Sequence, residues 1–113
     1  MSDCLFCRII ARQSPADITY EDDAVLAFKD IYPKAPVHHL IVPKRHIASL
    51  LEATEDDAAV LGRCLLVARQ LAEATGYGEK GFRLGVNTGP EGGQVVYHVH
   101  VHFTAGRRAR ADA

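Results

Sequence analysis

No stretch of the 113 residues approaches the roughly 20 consecutive apolar positions that a membrane-spanning helix requires, so no membrane partner is expected. The N-terminus, "MSDCLFCRII", carries an acid where a secretion signal would carry positive charge, and a cytoplasmic location is expected. Charge of either sign is nearly balanced, at a formal −1. That gives no electrostatic reason to expect nucleic acid as the main partner. The basic run "GRRAR" (Gly106 to Arg110) reads as a solvated end. Cysteines are few and odd in number: Cys4, Cys7 and Cys64. That count, with a tight Cys-x-x-Cys, argues against a disulfide framework and for a reducing compartment. Repeats, low-complexity segments and linkers are also missing. With 48% apolar residues the chain can build a core, and one domain spanning residues 1–113 is expected.

What is present is punctuated clearly. A short helix is predicted over residues 4–12, stopped before Pro15. "ITYEDDAVLAFKDI" (Ile18 to Ile31) reads as two strands about a turn at Glu21–Asp23, and "HHLIVP" (His38 to Pro43) as a third. A helical turn follows in "KRHIASLLEA". Thr54 and the acids after it suit a helix start, and the helix runs to Thr75, stopping at Gly76. Its apolar residues, Val60, Leu61, Cys64, Leu65, Val67, Ala68, Leu71 and Ala72, span roughly 160°, wider than the stripe of a helix resting on one core. Two readings fit: burial by the sheet on one side and a second subunit on the other, or a single well-buried helix. The last two strands are predicted at 82–89 and 95–104. One long helix among five strands, without βαβ alternation, indicates an α+β fold with a mostly antiparallel sheet.

The histidines carry the chemistry. All six lie in two windows, and three alternate in "YHVHVHF". Alternate residues of a strand share a face, so His98, His100 and His102 stand together. Such a row can chelate a metal, or can present a nucleophilic nitrogen flanked by proton and charge handlers. Cys4–Cys7 lacks the preceding strand that a thioredoxin-like redox motif would have. A zinc role would need two further ligands, for which His46 and His98 are candidates. "GYGEKG" (Gly76 to Gly81) follows a helix and precedes a strand, the reverse of a dinucleotide-binding turn, and reads as a cap and turn. In "TGPEGGQ" the glycines precede the histidine strand, where backbone N–H groups could approach an anion.

Together these motifs resemble the histidine triad (HIT) family. "HVHVHF" is similar to its His-φ-His-φ-His-φ-φ signature, with Thr104 at the last φ. "CLFCRII", "YEDDAVLAFKDI", "APVHHLIVPKRHI" and "NTGPEGGQVVYHVHVHF" resemble its N-terminal opening, ribose-binding hairpin, following strand and phosphate loop. The likeness covers nearly the whole chain and points to the Hint branch of nucleoside phosphoramidases.

That resemblance implies a five-stranded antiparallel sheet with a long helix and a short N-terminal one, dimerising into a ten-stranded sheet. It implies a purine nucleotide, AMP or GMP derived, with its base against Phe6, Phe28 and Ile31 and its ribose on Asp30. Asn87, the Gly93–Gln94–Val95 backbone and His102 would hold the phosphate. The family nucleophile falls on His100, and His38 matches a further family histidine; His39 is extra. Cys4, Cys7, His46 and His98 match the structural zinc ligands of zinc-carrying members, which would leave His98 unable to carry protons freely. The implied reaction is hydrolysis of a 5′-phosphoramidate at the α-phosphate through a nucleotidyl-histidine. Alternatives are a dinucleoside polyphosphate hydrolase of the fragile-histidine-triad type, or a nucleotide- or partner-binding module with little turnover. Val95 stands where the family often has a hydroxyl, and the Trp-containing tail of animal relatives is missing, so the leaving group stays open.

Overall fold

The computed structural model describes residues 3–107. The elements are α1 (Leu5–Ile10), β1 (Ile18–Glu21), β2 (Val25–Lys29), β3 (Val37–Pro43), α2 (Ala58–Thr75), β4 (Arg83–Gly85) and β5 (Val101–Ala105), with 3-10 turns at Leu50–Glu52 and Glu55–Asp57. They form one sheet, ordered β1-β2-β3-β5-β4, with every neighbouring pair antiparallel. No helix among the described residues is long and apolar enough to cross a membrane.

Alternation along the strands sends side chains to two separate cores. Val25, Ala27, Ile41, Val101 and Phe103 pack against Cys64, Val67, Ala68, Leu71 and Ala72 of α2. The opposite residues, Leu26, Phe28, Leu40 and Val42, pack against Phe6 and Ile9 of α1. Truncating a large member of either set to Ala costs about 2–5 kcal/mol. The helix face carries the larger share of the fold. The other face is only partly covered, because α1 has just six residues, and that gap becomes a cleft.

The expected start of the long helix is modified. Asp57 accepts a 3.0 Å hydrogen bond from the Thr54 N–H, but the segment between them is a 3-10 turn, and α2 proper begins at Ala58. It ends at Gly76, whose φ of 84° is a conformation that costs glycine nothing. Leu71 is buried as expected. Leu65 is not: it and Leu66 stand just over half exposed on the outer face of α2.

The predicted strands at 82–89 and 95–104 are both shortened. β5 begins only at Val101. Before it the chain bends, with the His98 N–H turned back to the Val96 carbonyl (3.0 Å) and the Val99 N–H donated to Ile47 (2.7 Å). The backbone around His98 thus serves a local corner; of the three alternating histidines only His102 lies in the ladder, and His100 immediately precedes it. Of the basic tail, Gly106 and Arg107 are described; residues 108–110 lie outside the described residues.

Candidate active site and metal centre

The cleft over the α1 side of the sheet has a volume of about 740 Å³. One end is apolar, lined by Leu5, Phe6, Ile9, Pro15, Ala16 and Phe28. Phe6 sets its edge 5.4 Å from Phe28 and 5.1 Å from His100, centroid to centroid. Such a slot suits a flat aromatic ring. Of the residues singled out in the sequence, Phe6, Phe28, Asp30, Ile31, His38, Asn87, Gly93, Val95, His100 and His102 all line this cleft. Leu5, Ile9, Pro15, Ala16, Lys34 and Arg83 also line it, and no role was assigned to them from the sequence.

The family resemblance has Gln94 offer its backbone to the phosphate; here its N–H is donated to the Gly89 carbonyl at 3.0 Å. Its buried side chain turns from the cleft and clamps the loop: Oε1 accepts the Gly89 N–H (3.0 Å), while Nε2 donates to the carbonyls of Ala48 (2.8 Å) and Val96 (3.2 Å). Asn87 Nδ2 donates to the Gly92 carbonyl at 2.7 Å, tightening the same loop. A β-carbon at Gly92 would run into the Thr88 carbonyl, so the turn admits no side chain there. Val95 beside it is almost fully exposed and brings no hydroxyl.

Hydrogen bonds assign protons on the histidines. His100 Nδ1 lies 2.8 Å from the His98 carbonyl, which can only accept. Nδ1 therefore carries the proton, and Nε2 keeps its lone pair. Burial pushes the His100 pKa below the ordinary imidazole value, so the ring is neutral at pH 7. His38 Nδ1 lies 3.1 Å from the Lys34 backbone N–H, and its Nε2 lies 3.0 Å from His102 Nδ1. Burial, then the charges of His100 and His38, pushes His102 down to about 4. His39 points to the other face of the sheet, with Nδ1 2.9 Å from Thr19 Oγ1 and its ring against Phe103.

At the head of the cleft a second cluster forms. Cys4 Sγ, Cys7 Sγ, His46 Nδ1 and His98 Nδ1 all lie within 4.8 Å of one another. Cys4–His98 is 3.4 Å, Cys7–His46 3.3 Å, Cys7–His98 3.6 Å and His46–His98 3.2 Å. A tetrahedral zinc with Zn–S ~2.3 Å and Zn–N ~2.0 Å has edges of about 3.3–3.8 Å, so this donor set fits the ion. His98 Nε2 lies 2.7 Å from the Pro43 carbonyl. It must be the protonated nitrogen, which leaves Nδ1 as a ligand oriented by a second hydrogen bond. The Cys7 N–H donates to Cys4 Sγ at 3.3 Å. Asp30, His38 and His102 form another close trio. That one fits a metal poorly: the Lys34 N–H occupies His38 Nδ1, so His38 Nε2 bears a proton where a metal would need a lone pair.

Comparison with known proteins agrees with this geometry. The sequence model of a family described as "Scavenger mRNA decapping enzyme C-term binding" matches residues 3–110. An uncharacterized HIT-like protein of Synechococcus elongatus is 53% identical over 105 residues, 93% of this chain and 91% of that protein. The purine nucleoside phosphoramidase of Escherichia coli K12 is 45% identical over 105 residues, 93% of this chain and 88% of that protein. The crystal structure of a HIT family hydrolase from Legionella pneumophila superposes with a TM-score of 0.94 at 44% identity, covering 97% of this chain and 98% of the other.

Proposed function

Because the chain belongs to the histidine triad (HIT) family and is a hydrolase, we propose that it hydrolyses purine nucleoside 5′-phosphoramidates, with His100 as the nucleophile. The observation that carries this reading is the 2.8 Å bond from His100 Nδ1 to the His98 carbonyl, which leaves the Nε2 lone pair for the cleft. The base enters the apolar slot at Phe6 and Phe28, against Ile31. The Asp30 carboxylate accepts hydrogen bonds from the ribose hydroxyls. Asn87, Gly93, the Val95 backbone and His102 surround the phosphate; the Gly93 and Gln94 N–H groups are already donated to the Pro90 and Gly89 carbonyls, so Asn87 and His102 are the groups placed to donate where charge develops.

In the first step His100 Nε2 bonds to the α-phosphorus as the bond to the amine nitrogen breaks. The amine leaves with a proton taken from solvent, since the His98 proton sits on Nε2 and is held by the Pro43 carbonyl. In the second step water attacks phosphorus, the N–P bond breaks and the proton lost by the water returns to solvent. The nucleoside monophosphate departs and His100 is regenerated. Two lower barriers replace one.

Zinc on Cys4, Cys7, His46 and His98 would be structural, since four protein ligands leave no open position. It would tie α1, the segment after β3 and the corner at His98 together beneath the nucleophile. Thiolate ligands require reduced cysteines, which suits the cytoplasm. The half-exposed Leu65 and Leu66 on α2 and the edge strand β4 support a homodimer.

A second reading, cleavage of dinucleoside polyphosphates, is favoured by Lys29, Lys34 and Arg83 along the cleft, which suit an anionic leaving group. The deciding experiment is a panel of adenosine and guanosine phosphoramidates, adenylylated lysine and diadenosine polyphosphates. It is run on the wild type and on His100→Gly. Phosphoramidate turnover at least a hundredfold lower in the variant, with AMP binding retained, is the expected result. Near-normal turnover in the variant would remove His100 from the role.

A further inference from the structure

The proton on His38 has two places to go. The Lys34 backbone N–H is necessarily a donor, so His38 Nδ1 accepts it and neutral His38 bears its one proton on Nε2. That nitrogen lies 3.0 Å from His102 Nδ1 and 3.5 Å from Asp30 Oδ2. Both are acceptors. The other Asp30 oxygen is already engaged by the Tyr32 N–H at 2.9 Å, so Oδ2 is the one available. All three side chains are largely sheltered from water, where such choices are not blurred by solvent.

The two arrangements differ in what they do to His102. If the proton points at His102, Nδ1 of that ring accepts, and neutral His102 must bear its own proton on Nε2. That is the ring nitrogen left for the cleft, and it becomes a donor. If the His38 ring turns its N–H toward Asp30, the 3.0 Å contact to His102 opens, nothing then specifies the His102 tautomer, and Nε2 can equally present a lone pair, which repels a phosphoryl oxygen.

We propose that His38 is a positioning residue whose single proton is shared between Asp30 and His102, and that ribose hydroxyls binding to Asp30 direct it to His102, fixing His102 as a phosphate donor. The proposal rests on the reading of Asp30 as the ribose acceptor and His102 as a phosphate contact. Its consequence is that the sugar contributes to turnover as well as to affinity. Hydroxyl donors satisfy Oδ2 and end its competition for the His38 proton. A nucleotide without those hydroxyls leaves the competition in place.

The test has two arms. In the first, ¹⁵N NMR of the histidine rings follows His102 in the full-length protein as AMP or 2′,3′-dideoxy-AMP is added. AMP should drive His102 to the Nε2–H tautomer and the dideoxy nucleotide should not. Identical tautomers at saturation with each would overturn the proposal. This arm needs no turnover, so it stands even if phosphoramidates prove not to be substrates. In the second, kcat and KM are compared for ribo and dideoxy adenosine phosphoramidates sharing one amine. Wild type should lose at least tenfold in kcat on the dideoxy substrate, beyond its rise in KM. In His38→Phe the kcat ratio should collapse toward one while the KM ratio remains. His38→Gln retains an N–H donor and should restore part of the kcat ratio. A kcat ratio unchanged in His38→Phe would refute the coupling. If His38→Phe fails to fold, the Gln variant and the wild-type NMR still decide.

Discussion

Removing the metal ligands should have a cost that can be worked out beforehand. Four donor atoms converge in the 3–98 region, from α1, from the segment after β3 and from the corner before β5. In Cys4→Ser/Cys7→Ser that convergence loses both thiolates. An ion that binds only the folded chain stabilises it by about 2.7 kcal/mol at a hundredfold excess over its Kd. The unfolding entropy of a 113-residue chain is about 240 cal/mol/K near 60 °C. The quotient is a Tm shift of about 11 °C, a lower bound if zinc binds more tightly than that ratio supposes. The assay is paired: zinc content of protein purified without chelator, and thermal melts of wild type and double variant with zinc or a strong chelator. Expected are close to one zinc per chain, a fall of about 10 °C or more for the wild type in chelator, and no response of the variant to either additive. Residual hydrolysis should persist in the variant, because His100 is held by its bond to the His98 carbonyl and His102 by its bond to His38 and by β5. A metal-free wild type with a melt equal to that of the variant would refute the reasoning, and His98 would then have to be reconsidered as a proton carrier.

Acid should destabilise the fold through His102. Its folded pKa, about 4, lies below its unfolded value near 6.5, so the unfolded chain binds more protons between them. The stability is complete above pH 6.5 and is lost as pH falls toward 4. The full shift corresponds to about 3 kcal/mol, and partial solvent access reduces this to about 1–2 kcal/mol. Denaturant midpoints at pH 7.5 and 4.5 should therefore drop less for His102→Gln than for the wild type; metal loss in acid is common to both and cancels. An equal drop would count against a buried neutral His102. Sedimentation at micromolar concentration should give twice the chain mass, and Leu65→Glu with Leu66→Glu should yield a folded monomer, since neither side chain belongs to the α2 core. A wild-type monomer would leave those leucines unexplained.

Much of the architecture was legible because its signals are local. Gly76 after an apolar helix, the turn at Glu21–Asp23 and the β-branched run from His38 to Pro43 each encode their element within a few residues. The alternation His98–His100–His102 was legible for the same reason, but it misled about His98. The pattern reads as continuous strand, while the backbone N–H of Val99 is taken by Ile47, half a chain away, and bends the segment. Periodicity cannot register a competing partner that distant. The Gln94 clamp was invisible likewise: nothing near it in the chain shows that its side-chain amide is claimed by the carbonyls of Ala48 and Val96. The apolar slot is made by Leu5, Ile9, Pro15 and Ala16, ordinary core types whose exposure to a cleft follows only from the brevity of α1. His38 and His39 are neighbours in the chain and sit on opposite faces of the sheet. Which of them meets the cleft was set by strand register, and only pairing with β2 and β5 reveals it.

The clamp around the loop from Asn87 to Gln94 has a consequence for the timing of the catalytic cycle. The Gln94 N–H and side-chain oxygen both bind Gly89, the Gly93 N–H reaches Pro90 and Asn87 grips Gly92. A loop braced by its own hydrogen bonds loses little entropy when a phosphate arrives. It also has no reason to let go. On the proposed reaction, the nucleoside monophosphate left after hydrolysis would keep the base, ribose and phosphate of the substrate, and the braced loop would offer it the same contacts. Departure of the product, unaided by any loop opening, would then be the slow event of each turnover. Free monophosphate in the surroundings would occupy the cleft in competition with substrate, so that the enzyme's output would follow the ratio of the two nucleotides rather than the amount of substrate alone.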